Sequence, residues 1–309
     1  MPRRKLLNEP ASRATRLTAL DLLDKARHGA RHFEKHRKDD DDALHKFRVA
    51  VRRLRSWLQL WKTEMSESVS GRRRRHIRDI ARDTGPARDL EVHIDWLRKE
   101  RRRLRGSDRD AIDTLIAHFE ARAEKALDLA ADAAAELDEV HDALSTRLSQ
   151  YCAAVRASSP RDGDRFDHAL AAHLGEAAAE LRRSLEKIHS RSDHEEIHEA
   201  RIAAKRLRYL LEPVTGEVYG AGAIVKDLEE FQEIAGDSHD VHVFLQEIAP
   251  SSAEGKTAPP VLTHHLQQRG KRAYSSLKRD WLGKESDPFF ERVERVAARL
   301  ISAMSRPQQ

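Results

Sequence analysis

Apolar residues recur every three to four positions through most of this chain, the period of a helix that buries one face. The spacing predicts a first helix over residues 17–37, ending at Lys38-Asp39-Asp40-Asp41-Asp42. That acidic run can cap the next helix and favours its positive N-terminal end. Helices follow over residues 43–63, 69–83 and 87–104, with Gly85-Pro86 breaking the third and Gly106-Ser107 closing the fourth. Residues 108–157 are helical again, as one helix or as two in line. Beyond them the pattern predicts helices over 165–189, 194–211, 217–235, 238–248, 261–281 and 288–304.

Residues 1–13 hold two prolines and no clear period, and read as a flexible N-terminus. Ser158-Ser159-Pro160-Arg161-Asp162-Gly163-Asp164 is the best internal linker, and residues 250–260 form a second long loop. The expected organisation is therefore one helical half over 14–157, a linker over 158–164 and a second half over 165–305.

Composition strengthens the helical reading. Ala, Leu, Arg and Glu dominate, all strong helix formers, and aromatic residues make up only 5%, which disfavours a sandwich or barrel. The fold class is all-α. The chain has 309 residues, of which 39% are hydrophobic and 35% charged, which suits helices with narrow buried faces and wide solvated ones. Among 57 basic residues 42 are Arg, whose planar guanidinium matches a phosphate with two donors at once. Cys152 is the single cysteine, so neither an intramolecular disulfide nor a thiolate zinc site is expected, in keeping with a reducing compartment. The first residues lack the apolar core of a signal peptide and no stretch reaches membrane-spanning length, so the expectation is a soluble, cytoplasmic protein without a membrane partner.

Laying one half on the other reveals a repeat. His45-x-x-Arg48-x-x-x-Arg52-Arg53-Leu54-Arg55 meets His198-x-x-Arg201-x-x-x-Lys205-Arg206-Leu207-Arg208 at an offset of 153. Leu44, Val49, Ala50, Leu54 and Leu58 meet Ile197, Ile202, Ala203, Leu207 and Leu211 in the same register. On a helical wheel His45, Arg48, Arg52 and Arg55 fall in one sector about 80° wide, opposite Phe47, Val51, Leu54, Leu58 and Trp61. The second copy repeats this with His198, Arg201, Lys205 and Arg208, while Arg53 and Arg206 lie on the flank. Like charges three and four residues apart repel one another, so a face of one sign kept twice points to an anion that offsets the repulsion. A weaker match follows at an offset of 151, where Ile77, Ile80, Thr84, Gly85, Asp89 and Val92 meet Leu228, Phe231, Ala235, Gly236, Asp240 and Val243. Arg75 meets Lys226 there, Arg88 meets His239, and Arg78 and Arg82 meet Glu229 and Glu233, so the halves are unequally basic. Asp89 and Asp240, just after the turn, are read as structural.

In these residues the chain resembles the CHAD family, the conserved histidine α-helical domain. The likeness rests on the two His-x-x-Arg-x-x-x-[Arg/Lys]-Arg-Leu-Arg helices, on Gly85-x-x-Arg88-Asp89-Leu90-x-Val92, and on the related turn from Gly236 to Val243. It implies two pseudo-symmetric helical bundles from an internal duplication, with basic residues around a shared groove or pore. It also implies binding of inorganic polyphosphate and association with polyphosphate granules. Carried over position by position, the polyphosphate-binding residues would be His45, Arg48, Arg52, Arg53, Arg55, His198, Arg201, Lys205, Arg206 and Arg208, with Arg75, Arg88 and Lys226 behind them. Polyphosphate carries about one negative charge per phosphate and no bases, so closely spaced donors along a track suffice. The two histidines would add charge below neutral pH and make affinity pH-dependent.

Three other readings compete. Arg72-Arg73-Arg74-Arg75-His76 and Arg101-Arg102-Arg103-Leu104-Arg105 would serve a nucleic-acid backbone, so non-specific nucleic-acid binding is the alternative. The stripe, however, lacks interleaved aromatics and base-reading amides. His28, His32 and His36 share a helix face and suggest a metal, but they read more simply as solvated histidines, and His45 and His198 lie among cations, a poor place for another. No phosphate-cradling glycine loop and no carboxylate cluster for magnesium is visible, so neither an enzyme nor a cofactor is expected.

Overall fold

The computed structural model describes residues 5–37, 39–155, 165–249 and 259–302. The described residues form ten α-helices: α1 Ala11–His36, α2 Ala43–Leu60, α3 Gly71–Asp83, α4 Gly85–Arg101, α5 Ser107–Val155, α6 Phe166–Glu186, α7 His194–Leu211, α8 Ala221–Glu247, α9 Pro260–Trp281 and α10 Asp287–Ser302. Two 3₁₀ turns, Glu212–Val214 and Gly283–Ser286, follow α7 and α9. Apart from one isolated bridge between Pro10 and Arg165, no strand occurs among the described residues. The fold is all-α.

Most differences from the pattern-based expectation have local causes. Residues 221–247 form one helix, α8, where two, over 217–235 and 238–248, were expected on either side of Gly236. In the first half the corresponding break is real but only one residue wide: Thr84 separates α3 from α4, and Pro86 stands in the first turn of α4. Proline has no N–H to continue the ladder and disfavours helix in the residue before it. Its counterpart in the second half is Asp237, which does neither, so the glycine is simply absorbed. Residues 107–155 also make one helix, of 49 residues and about 74 Å long, because its Ala-rich middle offers no stop.

The N-terminal segment differs too. Residues 5–13, read as loose, are seated: the Glu217 carboxylate accepts the Leu6 N–H at 3.1 Å, Glu9 O accepts the Phe166 N–H at 3.0 Å, and Leu6 is buried. Helix α1 then begins at Ala11, directly after Pro10. Pairings more than 150 residues apart leave no local periodicity to read. The expected linker over 158–164 lies outside the described residues, as do residues 1–4 and most of the 250–260 loop.

Capping of α2 is also rearranged. Asp42 is the N-cap but its side chain makes no cap bond. Asp40 does the work instead, accepting from the Asp42 N–H at 2.9 Å and the Lys46 ammonium at 3.0 Å, with His32 Nε2 at 2.8 Å. These contacts hold the Asp40 carboxyl far below its ordinary range, the His32 hydrogen bond first among them.

The described residues divide into two compact units, those among 15–158 and 248–262, and those among 1–14, 159–247 and 263–309. The first has its core along the buried face of α2. Phe47, Val51, Leu54, Trp57 and Leu58 are all but fully buried, Trp57 packs 5.5 Å from Trp61, and Phe47 stacks on Phe33 of α1 at 5.9 Å. The Trp57 indole N–H donates to Thr15 O at 2.8 Å, satisfying its polar edge. Buried Arg16 is paired by Ser68 Oγ at 2.8 Å and Glu64 O at 2.7 Å, with its guanidinium 3.5 Å over the Tyr151 ring. The second unit closes on Phe231, Trp281, Phe289 and Phe290, an aromatic chain in which Phe231 and Trp281 meet edge to face with centroids 4.7 Å apart. Each core fixes the orientation of one basic helix, α2 or α7.

Gly29 of α1 sets how closely α1 approaches α2. A Cβ at this position would lie 3.1 Å from Phe47 Cα, a backbone atom that moves only if α2 moves. Gly29→Val is expected to cost about 1–3 kcal/mol through this overpacking, read by denaturant unfolding. A variant as stable as the parent would mean that the helices part without strain.

Candidate functional site: two basic helix faces

In the first half, α2 and α4 bring four predicted residues together. His45 feels the positive charges of Arg88, Arg52 and Arg48, in that order apart from a counteracting Asp42. Partial desolvation of its ring, ahead of those charges, pushes the imidazole below its usual pKa, so it is neutral near pH 7. Arg48 lies 3.7 Å from Asp89, and its guanidinium approaches the start of α4, where a Cβ on Gly85 would sit 3.1 Å from Nη1. Arg88 donates to Glu91 at 3.1 Å. Burial raises the Glu91 pKa despite that partner, with Asp95 and Asp41 adding to the rise. Asp89 thus braces a stripe arginine, the structural part expected of it.

The second half gathers the same four positions. His198, Arg201, Lys205 and His239 correspond to His45, Arg48, Arg52 and Arg88. Arg201 faces Gly236 as Arg48 faces Gly85: a Cβ there would lie 3.6 Å from Nε. The His198 and His239 rings are 4.5 Å apart. Burial comes first, and then Arg201 and Lys205, in pushing His198 below its ordinary pKa. Burial and then His198, Arg201 and Lys205 push His239 down to about 4. Beside this pair, His194 and His242 stack at 3.9 Å. Neither His194 nor His242 was singled out from the sequence, and His239 was noted only as standing where Arg88 does. Their spacings, four apart on α7 and three apart on α8, were the available signal.

A depressed histidine pKa has a consequence for stability. The unfolded chain, with His239 near 6.5, binds more protons than the fold does below that pH, so this contribution is complete above about 6.5 and is lost as pH falls towards about 4. The thermal midpoint is expected to fall on acidification from pH 7 to pH 5 without ligand, and less steeply in His239→Asn. Parallel curves for the two proteins would remove His239 as a source.

The remaining predicted residues are not drawn into these clusters. Arg53 flanks the stripe and is half-buried, Arg55 and Arg75 are exposed, and Lys226 is exposed and 3.8 Å from Glu230. Arg206 is turned aside into an ion pair with Glu180 of α6. Arg208, placed on the stripe by the wheel, is instead buried, 3.1 Å from Glu212 and 3.6 Å from Glu229. In the first half Gln59 and Arg78 hold the places of those two glutamates, which leaves Arg55 at the surface. The groups suspected of binding a metal have other company: His32 is held by Asp40 and lies 4.7 Å from the His36 ring. The arginine runs are partly spent as well, Arg101 on Asp113 and Arg103 on Glu100 at 3.0 Å.

The fold and these clusters define an all-helical protein with a cationic, histidine-bearing helix face in each half. Residues 21–249, well over half of the chain, match the CHAD domain, and the chain belongs to the CHAD family. The family is associated in general with polyphosphate binding. Among solved structures, the crystal structure of the CHAD domain from the plant Ricinus communis is similar, with a TM-score of 0.62 and 20% identity over 97% of this chain and 96% of that one. At that identity the likeness establishes the fold. No curated protein matches the chain. Among the described residues no helix is long and apolar enough to cross a membrane.

Proposed function

We propose that the chain binds inorganic polyphosphate through the two basic helix faces. The observation that carries this reading is the recurrence of one cluster, a histidine with an arginine three residues on and an Arg or Lys seven residues on, each joined by a residue from a later helix of the same half. His45, Arg48, Arg52 and Arg88 form the first cluster, and His198, Arg201, Lys205 and His239 the second. Several cationic donors of one sign, set a helical turn apart, match successive phosphates of a flexible polyanion better than a single small anion. The association of the CHAD family with polyphosphate supports the same ligand.

In this reading the chain binds without cleaving. Phosphoryl transfer needs a positioned nucleophile and charge neutralisation at the reacting phosphate, whereas the clusters supply donors for a track. The chain's place would be on polyphosphate granules in the cytoplasm, tethering or organising them. Calorimetric titration with long-chain polyphosphate at moderate salt is expected to give saturable binding with no release of orthophosphate on prolonged incubation. Absence of binding would overturn the reading, and steady orthophosphate release would make the chain an enzyme instead.

A further inference from the structure

The second half carries something the first does not. Four histidines of α7 and α8 meet as two ring pairs, His194 with His242 at 3.9 Å and His198 with His239 at 4.5 Å. Residues four apart on α7 and three apart on α8 share one helix face each, so the pairs lie side by side along the seam. The corresponding first-half positions hold Asp41, His45, Arg88 and Glu91, one imidazole in place of four. The Nδ1 atoms of His194 and His198 are buried and have no hydrogen-bond partner. Among the described residues no group of three or more His, Cys, Asp or Glu is placed to hold a metal ion. Stacked imidazoles with unused nitrogens beside Arg201 and Lys205 are equipped to take up protons and donate to an oxyanion.

We infer that this histidine quartet makes the second-half site proton-linked, so that polyphosphate binding there takes up protons and tightens as pH falls below neutrality. The inference rests on the proposed function and adds its regulation. Without an anion, two imidazolium rings at stacking distance repel each other, and Arg201 and Lys205 oppose a further positive charge. A phosphate oxygen reverses the balance: each imidazolium offers it a charge-assisted N–H, and the anion screens one ring from the other. Protons and polyanion therefore bind together, and by linkage each strengthens the other.

The surrounding charges set how steep the effect is. On or just before α7, Asp193 and Glu196 favour protonation of His194, and Glu195 and Glu199 favour that of His198. Lys187, at the end of α6, pairs with Glu199 at 3.1 Å and tempers it, while Glu180 of α6 is taken by Arg206. On α8, Asp240 adjoins His239, Asp237 is tied to Arg269 of α9 at 2.6 Å, and Asp227 to Arg292 of α10 at 2.7 Å. Burial first, and then His242 for His194, Arg201 and Lys205 for His198, and His198, Arg201 and Lys205 for His239, hold these three below their ordinary pKa, so the protons are absent at pH 7 and available to be taken up.

The test compares the parent with His194→Gln/His242→Gln and with His239→Asn, using long-chain polyphosphate at fixed ionic strength. Affinity is measured at pH 6 and pH 8, and proton uptake by calorimetry in two buffers of different ionisation heat. The parent is expected to bind about tenfold or more tightly at pH 6 than at pH 8, with net proton uptake. Either variant should reduce that ratio to about threefold or less, since each breaks a ring pair and leaves fewer imidazoles to share the proton uptake. A ratio equal to the parent's in both variants, or binding with no proton uptake, would overturn the inference while leaving polyphosphate binding in place. Absence of polyphosphate binding at every pH would instead strike the proposed function, and this inference with it.

Discussion

Reversing Arg52 and Lys205 together, as Arg52→Glu with Lys205→Glu, is expected to weaken polyphosphate binding by roughly a hundredfold or more. These residues stand at matched positions seven beyond His45 and His198, and their charges act directly on those histidines. Each reversal removes a charge-assisted donor and places a carboxylate where a phosphate would lie, so both loss and repulsion enter. The matched control reverses Arg102 and Arg103, two exposed residues of an arginine-rich run whose net change in charge is the same. A binder that responded only to overall charge would lose equally in both variants. The clusters predict about threefold or less for the control, because screening mutes charges that do not touch the ligand. Both variants alter side chains that are not fully buried, so helical content and thermal midpoint serve as the folding check.

Raising salt from 50 to 200 mM should weaken binding on the order of a few hundredfold if about six phosphates are neutralised, by analogy with single-stranded nucleic acids. The figure of six follows from the cations of the two faces, Arg48, Arg52, Arg88, Arg201 and Lys205, with Arg53 on the flank. Each neutralised phosphate releases condensed counterions, and that release weakens as bulk salt rises. The logarithm of affinity should therefore fall linearly with the logarithm of salt, and Arg48→Ala should reduce the slope by roughly one contact's share. A slope near zero would mean that neutral hydrogen bonds dominate and that the cationic faces are incidental.

Helices were the most legible part of the sequence. The bounds of α7, His194–Leu211, follow from its pattern alone, because an apolar stripe and polar ends coincide there. Where expectation and structure part, the deciding interaction is either absent from a local window or needs a comparison between the halves. The continuity of α8 through Gly236 turns on the lack of a proline at position 237, which the aligned first half makes visible. The seating of Leu6 against Glu217 has no such signal, being a pairing across 211 residues. At the site, His45, Arg48, Arg52, His198, Arg201 and Lys205 were placed on their faces by periodicity. The wheel could not foresee that Arg208 would be buried, although Glu212 lies four residues on and Glu229 had already been aligned with Arg78. A wheel gives direction from one axis and is blind to carboxylates on the neighbouring helix. The histidine pairs escaped for the same reason, since each pair joins two helices.

The most direct test of the central claim is competition against labelled long-chain polyphosphate at moderate salt, with duplex DNA, RNA and triphosphate as competitors. The account predicts that unlabelled polyphosphate displaces the label fully, while nucleic acids and triphosphate do so only at far higher phosphate concentration. Equal displacement by DNA or RNA, phosphate for phosphate, would contradict it and make the two basic faces a general polyanion surface.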